Sequence, residues 1–159
     1  MAKIAALTKK GEEKTTRGEE LVKRRANFEK NINRWIEIED LTIGSCDAIM
    51  KKSESAVVKA MMKAIRMDSQ KHKELLGVVL ECLNGTITMT PDELATISSL
   101  LEGHVQVERD AIDLAERSLT DSRNFVISHI IKYILEDERK HFSIANDLNS
   151  YKAHIYPYA

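Results

Sequence analysis

The chain repeats itself. Shifted by 69 residues, its first half falls on its second without a gap: Glu39 meets Glu108, His72 meets His141, Asp68 meets Asp137, and Lys71 meets Lys140. Ile43 meets Ile112, Ile65 meets Ile134, and the flanks agree in kind, as at Ile36/Val105, Val58/Ile127 and Met62/Ile131. Even the polar Ser53 meets Ser122. A period of this length restricts the fold to two copies of one supersecondary unit.

Hydrophobic spacing identifies that unit as a helical hairpin. Phe28, Ile32, Trp35/Ile36, Glu39, Ile43, Cys46 and Met50 advance by alternating threes and fours, which draws one stripe along a helix. Val58, Met62, Ile65, Ser69, His72, Leu76 and Val79 draw the second, ending at the stop signal Asn84-Gly85. Thr90-Pro91-Asp92-Glu93 reads as a helix start, with Thr90 as cap and Glu93 closing a capping box. The third stripe is Leu94, Ile97, Leu101, Val105, Glu108, Ile112, Ala115, Leu119. After the polar break Thr120-Asp121-Ser122 comes the fourth: Ile127, Ile131, Ile134, Glu138, His141, Ala145, Leu148. The expected fold is all-α, a four-helix bundle of two repeated helical hairpins over residues 19–150. Residues 1–18 read as a flexible polar arm or frayed helix start, and 151–159 as an irregular tail.

Composition excludes several functions. Lys plus Arg is 24 and Asp plus Glu 25, a net charge of −1, which gives no general attraction to nucleic acid or an anionic membrane. Clusters such as Lys23-Arg24-Arg25 are short enough to be solvated faces. No apolar run approaches the roughly 18 residues of a membrane span, and the start is too short in apolar residues for a signal peptide. Cys46 and Cys82 form neither a CxxC pair nor a disulfide framework, so a cytoplasmic protein is expected. There is no Gly-rich phosphate loop and no nucleophile elbow. Met61, Met62 and Met67 sit at core spacing and are read as filling rather than as copper ligands.

Each stripe is interrupted where an apolar residue belongs: by Glu39, by Ser69 and His72, by Glu108, and by Glu138 and His141. An unpaired carboxylate in a core costs several kcal/mol, so it is neutralised, paired or bound to a cation. Several carboxylates at one level repel unless a cation joins them. Glu138-Arg139-Lys140-His141 is a Glu-x-x-His motif, whose spacing sets carboxylate and imidazole on one helix face. Asp137, and Asp68 in the first repeat, are suited to accept an N–H from a ligand histidine and so fix its tautomer. One Glu-x-x-His is common surface decoration. Its recurrence in register within apolar stripes points to a metal site with oxygen and nitrogen ligands.

The set Glu39, Asp68-Ser69-Gln70-Lys71-His72, Glu108 and Asp137-Glu138-Arg139-Lys140-His141 resembles the ferritin-like superfamily, and within it the rubrerythrin-like di-iron proteins. The resemblance covers about residues 20–150. It implies a four-helix bundle holding two irons, with manganese as the other candidate, and a non-haem oxidoreductase or peroxidase acting on peroxide or dioxygen. By that likeness Glu39 and Glu108 are terminal ligands, Glu138 is a bridge, and His72 and His141 are the imidazole ligands. Tyr133, about a turn before Glu138, is placed to hydrogen-bond an oxygen species or to fill the core.

This chain departs from the pattern. Ser69 stands where a second bridging Glu is expected, which leaves five of six ligands: either one of two ions is held more weakly, or Asp68 or a water takes the vacant place, or the site binds one ion because of Ser69. His104 precedes Glu108 by one turn, matches Trp35 in the repeat, and is either a substitute ligand or a hydrogen-bonding neighbour. No rubredoxin-like CxxC pairs follow, so an electron donor would be a separate protein. Gly85 to Met89 span at most ~18 Å, whereas a helix of about 30 residues is ~45 Å long. Either the second helix stops early, near Gly77, or the topology is plain up-down, or two chains exchange hairpins as a homodimer. The alternatives to a redox enzyme are a non-catalytic metal-binding or storage protein and a structural bundle with a degenerate site.

Overall fold

The computed structural model describes residues 2–85 and 90–155, and the side chains of 18–85, 90 and 92–151. They form four helices and, among the described residues, no strand: α1 Ala2–Lys52, α2 Ala56–Leu83, α3 Pro91–Asp121 and α4 Phe125–Ile155. The all-α class is as expected. The chain divides into two compact units, Met1–Thr88 and Met89–Ala159. Each is a helical hairpin, α1 against α2 in the first and α3 against α4 in the second. No helix among the described residues is long and apolar enough to cross a membrane.

Local chemistry sets the helix ends. Ser55 caps α2 by accepting from the Val58 N–H at 3.4 Å. Its repeat counterpart Asn124 does the same for α4, accepting from Val126 at 3.0 Å and Ile127 at 3.1 Å. Thr90 and Glu93 close the capping box: the Glu93 N–H donates to Thr90 Oγ1 at 3.3 Å, and the Thr90 N–H donates back to Glu93 Oε2 at 2.9 Å. Gly85 ends the first hairpin with a φ of 70°, a left-handed turn that favours glycine.

α2 ends at the Asn84-Gly85 stop signal, running through Gly77 to Leu83 with Asn84 as its cap; one glycine costs about 1 kcal/mol, and the apolar spacing on either side outweighs that. An early stop of the second helix is therefore ruled out. α1 begins at Ala2, so the stretch read as an arm or a helix start is helical. α4 continues to Ile155, past the expected start of the tail; residues 156–159 with Pro157 lie outside the described residues.

The buried residues fall on the predicted stripes. The first hairpin buries Ile32, Cys46 and Leu76 around the polar pair Glu39 and Ser69, and the second buries Leu94, Leu135 and Ala145 around Glu108. Leu135 is the one apolar member that the stripes omit. Met67 corrects a reading: it is 60% exposed, one position off the face that Met62 and Ile65 share, and fills no core. Ion pairs tie the helices at the rims, Arg66 to Asp47 and Lys73 to Asp40 in the first hairpin, Arg139 to Glu116 in the second. Exposed pairs of this kind contribute about 0–1 kcal/mol each. Arg25 also donates to the Leu83 carbonyl at 3.0 Å, where the last carbonyls of α2 lack helical partners.

Apolar burial therefore sets the stability of each hairpin. Leu94, 2% exposed, is the best-buried large side chain. Leu94→Ala is expected to cost about 3 kcal/mol, and Leu100→Ala, at a 72% exposed site, less than about 0.5 kcal/mol. Urea unfolding of the two variants tests this, and equal losses would contradict the assignment of the core.

Candidate metal centre

The repeat puts one glutamate and one histidine at matching places on each hairpin, and the structure brings both pairs together. In the first hairpin His72 Nδ1 on α2 lies 3.3 Å from Glu39 Oε1 on α1. In the second, His141 Nδ1 on α4 lies 3.7 Å from Glu108 Oε2 on α3. Both glutamates are buried at 7% exposure, whereas both imidazoles are nearly half exposed at the edge of their hairpins. Burial removes water from the carboxylates and leaves protein groups to compensate them.

The second hairpin adds Glu138. Its Oε2 is 3.6 Å from His141 Nδ1, one turn along α4. Ligand atoms of Glu108, Glu138 and His141 all lie within 4.8 Å of one another, close enough to share one cation. Two carboxylates and an imidazole form a hard oxygen and borderline nitrogen donor set, suited to manganese, iron or zinc. The group lies between two apolar hollows on this hairpin. One, about 390 Å³, is walled by Leu101, Ile144, Ala145 and Leu148 around His104, Glu108 and His141. The other, about 300 Å³, reaches Glu138 past Ala111, Ala115, Ile131 and Ile134.

Electrostatics separates the hairpins. Burial raises the Glu138 carboxyl above the ordinary glutamate range, and the shared hydrogen bond and like charge of Glu108 raise it further, against the opposing pull of His141. A proton or a cation between the two carboxylates relieves that repulsion. At Glu39 burial also disfavours the charge, but hydrogen bonds from Ser69 and Trp35 and the proximity of His72 outweigh it and hold the carboxyl below its ordinary value. Trp35 Nε1 donates to Glu39 Oε1 at 2.9 Å. At the repeat-matched position His104 Nε2 lies 3.0 Å from Glu108 Oε1. An indole N–H and an imidazole thus occupy the same place beside equivalent carboxylates.

The remaining candidates sit as follows. Ser69 is buried at 3% exposure against Glu39. Asp68 and Asp137 each pair with the lysine one turn on, Lys71 at 2.7 Å and Lys140 at 2.5 Å, so this contact too repeats in register. Tyr133 is half-buried on α4. Sequence reasoning grouped five ligands; the cluster that the structure gathers within one hairpin is Glu108, Glu138 and His141. The part played by Trp35 was not anticipated, although its pairing with His104 across the repeat was the available signal. No family model, no curated protein and no solved structure matches the chain.

The two pKa directions give opposite pH dependences in metal-free protein. Glu39, lowered on folding, stabilises the fold above the ordinary glutamate pKa of about 4.3, and that contribution is lost as pH falls through the lowered value. Glu138, raised on folding, penalises the fold at neutral pH, and the penalty lifts as pH falls through the raised value. Glu39→Gln should therefore lower neutral stability and flatten the acid limb. Glu138→Gln should raise neutral stability, with the gain shrinking on acidification. Urea midpoints between about pH 3 and 7 in the presence of chelator test both signs, and shifts of the same sign would contradict the assignment.

Proposed function

We propose that this chain is a carboxylate–histidine metalloprotein of the rubrerythrin-like, ferritin-like kind, and that iron or manganese bound by Glu108, Glu138 and His141 gives it redox reactivity toward peroxide or dioxygen. The observation that carries this reading is the convergence of the three ligand atoms within 4.8 Å. The donors fit such an ion: two carboxylates supply negative charge that favours the oxidised metal, and the imidazole completes a set that hard and borderline cations accept. Burial and the neighbouring Glu108 both raise the Glu138 carboxyl, and a cation there would relieve that.

When bound, the metal supplies one-electron exchange with an oxygen substrate. The residues of the chain prepare the place. Glu108 from α3 and Glu138 from α4 would hold the ion through their carboxylates, His141 would complete the set from the rim, and Leu101, Ala145 and Leu148 line the hollow beside them. Tyr133, half-buried on the same helix as Glu138 and His141, would offer its hydroxyl to an oxygen substrate, and a separate protein would deliver electrons. We place the protein in the cytoplasm, in keeping with its two free cysteines, Cys46 and Cys82.

A second reading, non-catalytic metal binding or storage, is favoured by one observation: Ser69 replaces the carboxylate that would make the first hairpin match the second. For the partner we propose a second copy of this chain. Leu100, Val107 and Leu114 are 72%, 62% and 62% exposed and recur every seventh residue along α3, which lines them up as a seam. Val107→Glu is expected to convert a dimer into a monomer in sedimentation velocity; a wild-type monomer at tens of micromolar would remove this assignment.

Glu138→Ala and His141→Ala are each expected to abolish metal retention, measured by plasma mass spectrometry after desalting; full retention in either would contradict the centre. Wild-type protein should oxidise added ferrous iron in air faster than a protein-free blank. Retention without that acceleration would decide for the storage reading.

A further inference from the structure

The repeat makes the two hairpins comparable atom by atom, and they have diverged at two of four matched positions. Glutamate and histidine are shared, Glu39/Glu108 and His72/His141. The other two positions are Trp35/His104 and Ser69/Glu138. In the second hairpin these residues give a carboxylate pair and two imidazoles. In the first they give two neutral hydrogen-bond donors, Trp35 Nε1 at 2.9 Å from Glu39 Oε1 and the buried Ser69 hydroxyl, with His72 at 3.3 Å from the same Oε1.

Three donors converging on one carboxylate do the work that a cation would otherwise do. A buried carboxylate is stabilised once its lone pairs are satisfied, and further coordination requires breaking those bonds. An indole N–H cannot ligate a metal, because it has no lone pair to offer, and a neutral serine adds no charge to hold one. The second hairpin has the opposite arrangement. Glu108 and Glu138 crowd negative charge with His141 beside them, and His104 meets Glu108 at Oε1, leaving Oε2 on the side of His141.

We infer that the two hairpins have divided their roles: the second binds a single divalent transition-metal ion, and the first is a metal-independent node in which Trp35, Ser69 and His72 take the place of the ion around Glu39. The inference rests on the metal reading above and fixes its stoichiometry and its location.

The test titrates the metal-free full chain with Co²⁺ and counts bound ions by equilibrium dialysis and by the visible bands of the bound ion. Wild type is expected to saturate at one ion per chain. His72→Ala and Trp35→Phe should leave the count at one, whereas Glu138→Gln should bring it to zero. Ser69→Glu, which restores the matched carboxylate, should raise it to two. A wild-type count of two, or loss of the ion in His72→Ala with circular dichroism unchanged, overturns the division of roles while leaving metal binding in place. Ser69→Glu remaining at one with its helical spectrum intact overturns the part assigned to Ser69. Should Ser69→Glu fail to fold, the His72→Ala and Trp35→Phe counts decide. A wild-type count of zero removes the metal reading itself, and this inference with it.

Discussion

A carboxylate set between two apolar helices must be compensated, and the two halves of this chain are organised around that requirement. Glu39 and Glu108 take places where the helical spacing calls for an apolar residue, and both are buried. Leaving either one bare would cost several kcal/mol, a large fraction of the 5–15 kcal/mol that holds a typical domain folded. The polar residues nearby bear on that cost in opposite ways: donors surround Glu39 and offset it, whereas around Glu108 two imidazoles offset it and the second carboxylate of Glu138 adds to it.

The same constraint explains why the interruptions repeat. In each hairpin an inward glutamate meets a histidine at the matching place on the partner helix. What changed between them is the means of compensation. In the first hairpin it is internal, through hydrogen bonds that satisfy the carboxylate and favour its ionised form. In the second it is incomplete, because Glu138 adds negative charge and its own carboxyl is driven upward by burial and by Glu108. An incomplete arrangement of hard oxygen and imidazole donors invites a cation.

Much of this was legible in the sequence. Helix number and most ends followed from apolar spacing and from caps such as Thr90-Pro91-Asp92-Glu93, since capping chemistry is local. The inward direction of Glu39, Ser69 and Glu108 followed from their place in otherwise apolar stripes. Less was legible where the outcome depends on an atom's reach rather than on its helix face. The resemblance grouped Glu39 and His72 with Glu108, Glu138 and His141; within the second hairpin the last three gather, and within the first Ser69, Trp35 and His72 surround Glu39. Met67 was read with the core face, but a shift of one position on a helix turns a side chain by about 100°, and it stands 60% exposed. The continuation of α2 through Gly77 was ambiguous because a glycine both permits a stop and is tolerated within a long apolar helix.

The central claim is that Glu108, Glu138 and His141 hold a cation. The most direct measurement is anomalous X-ray scattering from crystals of the metal-free chain soaked in Mn²⁺. One strong anomalous peak is expected within coordinating distance, about 2.0–2.3 Å, of both carboxylates and the imidazole. An absence of anomalous density there, or a peak held by residues outside this set, would contradict it.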